Sequence, residues 1–220
     1  MEISVDATTG REEMLARIRS RLKSMPNQRR TAAKSAVPGQ EREALIAQFT
    51  AKLEQAGGHV HRIPDVAIAR EQLVNILRQC QARRIVVSAG VPGLSDLADE
   101  FEVVNVADLG NALRDTLAQT DVGITDVNYA IAETGTLVLC AQPGRPRLLS
   151  ALPAVHIAVV RFDQVVASFA DLASVVRSWA AGASHMTLIT GPSRTGDIEQ
   201  VITIGAHGPR ELHVLLCEEQ

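Results

Sequence analysis

Cysteine, aromatic residues and excess charge of either sign are all scarce in this chain of 220 residues. Its three cysteines, Cys80, Cys140 and Cys217, lie far apart, and no Cys-x-x-Cys or Cys/His spacing marks a zinc or iron–sulfur ligand set. Each stands among apolar neighbours, the pattern of reduced, buried thiols in a cytosolic protein. Aromatic residues make up 3% of the chain, and Tyr129 is the sole tyrosine. A formal charge of −3 offers neither nucleic acid nor an anionic membrane an obvious handle. There is no Gly-x-Gly-x-x-Gly and no P-loop lysine motif, which argues against a standard dinucleotide or ATP cradle. No signal peptide or integral membrane segment is visible, and the long apolar stretch from Ala154 to Val176 is broken by Arg161, Asp163 and Asp171. These absences lead to the expectation of a soluble, cytoplasmic protein without a metal site.

What charge there is falls unevenly. Residues 1–34 hold eight Lys/Arg against four Asp/Glu, leaving the remainder at −7. Leu15, Ile18, Leu22 and Met25 recur at helical steps in a narrow stripe on a basic segment. The stripe suits docking, either on a partner or on a second copy of the chain, and a solvated helix face is the plainer reading. Pro26 to Gln40 lacks periodicity and reads as a linker, so residues 1–40 are taken as a basic helix plus linker and 41–220 as one folded domain.

From Glu41 onward helices and strands alternate. Helices are expected at 41–55, 66–81, 109–119 and 169–181, the last with Phe169, Leu172, Val175, Val176 and Trp179 inward, and a short one near 92–99. Strands are expected at 59–63, 84–88, 102–106, 136–140, 156–160, 186–190, 201–204 and 211–216. The pattern predicts an α/β fold with a mixed, mostly parallel central sheet flanked by helices, carrying an amino-terminal helical extension. The short Gly205–Arg210 connection predicts that the last two strands pair antiparallel.

Three polar clusters interrupt the apolar texture. The first runs from Asp126 to Thr136, where Glu133-Thr134-Gly135-Thr136 precedes a strand; Glu133 is either a general base, nucleophile or ligand anchor, or the acceptor of a capped turn. The second runs from Gln142 to Ser150, where Arg145 or Arg147 can clamp a carboxylate or phosphate. In the third, Gly191-Pro192-Ser193-Arg194-Thr195-Gly196-Asp197-Ile198-Glu199 is followed by Gly205-Ala206-His207-Gly208-Pro209. Ser193, Arg194 and Thr195 can hold an anion, Asp197 can bind or cap, and His207 stands exposed between glycine- and proline-rich turns. His156 opens an apolar strand as a buried histidine. His59 and His61 share a strand face without a third ligand nearby in sequence. The turns around Glu133, Arg194 and His207 are expected to converge on one recess at a rim of the sheet.

Together, Ala132-Glu133-Thr134-Gly135-Thr136, Leu152-Pro153-x-x-His156, the Gly191–Glu199 string and Gly205-x-His207-Gly208-Pro209 resemble the lactate utilization protein C family, built on the LUD domain. The resemblance spans about Glu41 to Cys217, with Gly196 standing where alanine is expected. It implies a fold similar to ribose-5-phosphate isomerase A, CoA transferases and 5-formyltetrahydrofolate cyclo-ligase. It further implies a role beside two iron–sulfur partner proteins that together oxidise L-lactate to pyruvate. This chain would be the member without a cofactor of its own, with the iron–sulfur clusters on the partners. The other expectation is a stand-alone enzyme of the isomerase/CoA-transferase-like superfamily acting on a small anionic metabolite. Glu133 followed by Thr134-Gly135 is reminiscent of the CoA-transferase glutamate. The sequence leaves open whether the chain is itself an enzyme.

Overall fold

Ile46, Phe49 and Leu53 fall on one side of the first described helix, α1 (Gly39–Gln55), and all three are buried. Withdrawing such side chains from water is worth roughly 1.5–3 kcal/mol each. The helix closes with Gly57 N–H donating to the Glu54 carbonyl at 2.8 Å and Gly58 N–H to the Leu53 carbonyl at 3.0 Å, a Schellman termination. The computed structural model describes residues 39–64, 66–91, 97–179, 183–196, 202–205 and 207–218. The basic stripe and most of the linker lie outside the described residues, as does most of the short helix expected near 92–99.

Strands β1 (His59–Ile63), β2 (Arg84–Val87), β3 (Glu102–Asn105) and β4 (Val122–Asp126) come first in the chain. After them come β5 (Tyr129–Ile131), β6 (Thr136–Ala141), β7 (Val155–Arg161) and β8 (Val165–Val166). The last are β9 (His185–Ile189), β10 (Arg194–Gly196), β11 (Ile202–Ile204) and β12 (Glu211–Cys217). Six of them form the main sheet in the order β1-β12-β7-β4-β2-β3, every neighbouring pair parallel. A second sheet, β8-β5-β6-β9, holds two antiparallel pairings and one parallel pairing.

Fold class and a mostly parallel centre are thus as expected, with parallel and antiparallel pairing sorted into separate sheets. The antiparallel pairing of the last two strands is not found. β11 pairs instead with β10, while β12 inserts between β1 and β7 parallel to both. The reason is burial: Leu212, Val214, Leu215 and Leu216 are all nearly inaccessible, and only a central position covers both faces of such a strand.

Alternation then decides which side chains meet which layer. Leu212, Val214 and Leu216 of β12 join Ala158 and Val160 of β7 under α1 and the second sheet. On the opposite face Val155, Ile157 and Leu215 meet Leu73, Ile76 and Leu77 of α2 (Val66–Gln79). Leu117 of the short α3 (Leu113–Ala118) packs with Val86 and Leu149, and Leu172 of α4 (Phe169–Trp179) covers Ile131 and Val138 of the second sheet. Phe169, expected inward, is 43% exposed because it opens α4 just after a reciprocal Ser168–Asp171 cap, outside the covered stretch.

Strand β4 has no counterpart among the expected elements. Val122 and Ile124 face α2, whereas Gly123 and Thr125 on the other face break the apolar run that marks a central strand. Gly123 is required there: a Cβ would run into the Leu149 carbonyl oxygen of the 3-10 turn Arg147–Ser150. The missing side chain lets that turn lie directly on the sheet.

Candidate functional site

Ligands in open parallel sheets bind outside the carboxyl ends of the strands. Here Ser88 follows β2 directly and Asp126 ends the adjacent β4. Ser88 Oγ donates to Asp126 Oδ1 at 2.7 Å, and the Asp126 N–H returns a bond to Ser88 Oγ at 3.3 Å. The Arg145 guanidinium pairs with the same carboxylate, whose side chain is only 15% exposed. Arg145 is delivered by a tight loop in which Gln142 and Arg145 exchange backbone bonds at 3.2 and 2.9 Å. Ala89 N–H ties that loop to the sheet through the Gly144 carbonyl at 3.1 Å. Asp126 is therefore a shielded, fully engaged carboxylate, as burial of a charge demands.

The Ser88–Asp126–Arg145 group lines a narrow recess of about 20 Å³, enough for a water molecule. A second recess of about 430 Å³, the size of a metabolite pocket, continues it between the parallel sheet and β9. The two share a wall made by Arg147, Ser150 and Thr187. Arg147 is exposed on this wall and has no ion-pair partner among the described residues. Because Arg145 is taken up by Asp126, Arg147 is the guanidinium positioned to meet an anion.

His156 lines the larger recess from the sheet side and is fully buried. Thr125 Oγ1 lies 2.8 Å from its Nε2, while Nδ1 has no hydrogen-bond partner among the described residues. Burial pushes its pKa down to about 4, so the ring is neutral at physiological pH. One ring nitrogen thus remains to bond a ligand or water.

The residues singled out in the sequence fall in three places. Ser193 and His207 line the larger recess, joined by Ser193 N–H to the Pro209 carbonyl at 2.8 Å and Gly205 N–H to the Ser193 carbonyl at 2.9 Å. Arg145 lines the narrower one. Gly135, flanked by Thr134 and Thr136, and Arg194 lie at the C-terminal end of α1. Thr134 and Thr136 hydroxyls stand 2.6 Å apart, and Thr136 reaches Thr190 at 2.7 Å, tying the β5–β6 turn to the end of β9. Gly135 sits directly on the α1 backbone at Lys52–Leu53, and the Arg194 guanidinium lies against Gly57. There its charge faces the negative end of the helix dipole. Glu133 is exposed on its turn, its N–H bonded to the Ala167 carbonyl at 3.0 Å, and lines neither recess. Thr195 occupies β10 opposite Thr203. Asp197 lies outside the described residues.

The turns around Gly135 and Arg194 therefore meet at the end of α1, whereas His207 and the adjacent Ser193 line the larger recess, so the three do not share one recess. Ser88 and Thr125 were not among the sequence candidates, and Asp126 stood only as the first residue of the Asp126–Thr136 cluster, without a role. Their signal was the polar residue closing each apolar run, Ile85-Val86-Val87-Ser88 and Val122 to Asp126. It becomes readable once β2 and β4 are known to be neighbours.

A family model described as the LUD domain matches residues 46–217. Lactate utilization protein C of Deinococcus radiodurans is 38% identical over 143 residues, covering 61% of this chain and 63% of that protein. Lactate utilization protein B of Bacillus velezensis is 36% identical over 114 residues, which are 49% of this chain and 22% of the relative. The chain thus spans less than two thirds of the length of these relatives. A crystal structure of a DUF162 family protein from Deinococcus radiodurans aligns with TM-score 0.63 and 27% identity, covering 80% of this chain and 98% of that one.

Proposed function

Since the chain belongs to the LUD domain family, we propose that it serves in bacterial L-lactate utilization, as a subunit or accessory factor with an anion site in the seam between its two sheets. The observation that carries the anion site is Arg147, a guanidinium on the wall common to both recesses with no ion-pair partner among the described residues. A small carboxylate such as lactate or pyruvate fits that chemistry: the guanidinium fork takes the carboxylate, and His156, Ser193 and Thr190 offer neutral partners to a hydroxyl or keto group. Electron transfer in the oxidation of L-lactate to pyruvate then falls to two iron–sulfur partner proteins. The cysteines support that division, because Cys140 belongs to the second sheet while Cys80 and Cys217 pack under the main one. The basic arm of residues 1–34 is the segment suited to docking on those partners or on a second copy.

Two experiments test this. Deleting the gene is expected to abolish growth on L-lactate as sole carbon source; undiminished growth in a host without a second copy overturns the reading. Calorimetry with lactate, pyruvate and phosphate is expected to show an affinity that falls tenfold or more in Arg147→Ala. A charge-assisted hydrogen bond is worth about 1.5–3 kcal/mol, and 1.4 kcal/mol is a factor of ten. A larger loss in Arg194→Ala than in Arg147→Ala would place the anion beside the end of α1 instead.

A further inference from the structure

The strongest unassigned cluster lies across the sheet from the seam. Cys80 follows the last turn of α2, while Glu211 and His213 open β12 on the face that α2 covers. Their ligand atoms all lie within 4.8 Å of one another. The Cys80 Sγ to Glu211 Oε2 distance is 3.7 Å, and His213 Nε2 lies 3.6 Å from the same oxygen. Zinc bound tetrahedrally at about 2.0–2.3 Å sets its N, O and S ligands roughly 3.3–3.6 Å apart. The two separations to Glu211 are close to those edges, and the Cys80 thiol donates to Glu211 Oε2 only a weak hydrogen bond that a cation would replace.

A second observation is independent of that spacing. The His213 side chain is 10% exposed, and its Nε2, on the side of Glu211, has no hydrogen-bond partner among the described residues. Its other nitrogen, Nδ1, is 3.1 Å from His61 Nε2 on the neighbouring strand. If Nδ1–H donates to His61, the Nε2 lone pair is left directed at Cys80 and Glu211. A metal-binding histidine is held in this way by a partner on its far nitrogen. His59 and His61 stack on the same imidazole, with ring centroids 4.9 and 5.4 Å away. The stacking fixes the plane of the His213 ring.

We propose that Cys80, Glu211 and His213 form a three-ligand site for a borderline-soft divalent cation, best matched by zinc, with His61 as the positioning residue behind His213. A thiolate, a carboxylate and a neutral imidazole give a mixed donor set that suits zinc over calcium or magnesium. Thiolate and carboxylate together neutralise the cation. Glu211 is 43% exposed, so a fourth coordination position opens to solvent on its side.

The test uses the full chain, stripped with a chelator and titrated with zinc in competition with a chromophoric chelator. One zinc per chain is expected. Cys80→Ser and His213→Gln should each weaken binding more than tenfold, and His61→Gln by about 10–100-fold, as for a second-layer partner. The surface variant His185→Gln should change nothing. Zinc should also slow alkylation of Cys80 selectively, with Cys140 and Cys217 as internal references, and this readout needs no variant to fold. Absence of saturable binding overturns the site. So does binding that survives both ligand substitutions, or zinc that leaves Cys80 alkylation unchanged.

Discussion

Replacing Gly135 with alanine is expected to cost about 2–5 kcal/mol of folding stability, a large share of what holds a domain of this size together. Two effects add. Gly135 has φ +65°, a left-handed conformation that strains a residue with a Cβ by about 1–3 kcal/mol. The new methyl would also be driven into the α1 backbone at Lys52 and Leu53, which cannot give way as a flexible side chain does. Such overpacking costs about 1–3 kcal/mol. Gly110 provides the control, because it too has a positive φ, +48°, but nothing lies near the position of its Cβ. Gly110→Ala should therefore show only the backbone strain. Chemical denaturation of both variants checks this. Equal losses would mean that the close approach of the β5–β6 turn to α1 contributes nothing.

Acid should destabilise the protein through His156. Its folded pKa of about 4 lies below the ordinary value of 6.5, so the unfolded chain binds a proton that the folded chain refuses between those pH values. Stability should hold above pH 6.5, fall as pH drops from 6.5 toward 4, and gain no further slope from this group below 4. At about 1.4 kcal/mol per pH unit the total is about 3 kcal/mol. Denaturation midpoints for the native chain and His156→Gln over this range isolate the effect, since other titrating groups are common to both. An unchanged slope in the variant would mean that His156 is hydrated and protonates freely.

Helices α1, α2 and α4 and most strands were legible because their apolar residues recur at regular steps, whereas the helix expected at 109–119 is α-helical only over Leu113–Ala118, after a 3-10 turn at Gly110–Ala112. Strand β1 and helix α1 fall within two residues of expectation, and β12 within one. Strand β4 was not legible, because Gly123 and Thr125 serve the face that carries the Arg147–Ser150 turn and so break the apolar run. The short β5, β8 and β10 gave no periodic signal at all, being only two or three residues long. Among the candidate site residues, the glycine turns were visible as turns, but their contacts were not. Gly135 and Arg194 turn out to pack on the end of α1, a helix nearly eighty residues upstream of Gly135.

By itself the chain's order of residues determined the α/β class, the length of most elements and the family, since all of these rest on local spacing and on strings of adjacent residues. Only the tertiary structure decided which polar groups share a site. Asp126 meets Ser88 and Arg145, and Cys80 meets Glu211 and His213, because parallel strands far apart in sequence lie side by side in the sheet. Asp126 reaches the seam by ending its strand at the carboxyl edge of the sheet, whereas Glu211 and His213 open theirs on the face that α2 covers. Strand order is set by how much apolar surface each strand must hide on both sides, a quantity summed over the whole fold and written in no single stretch of it.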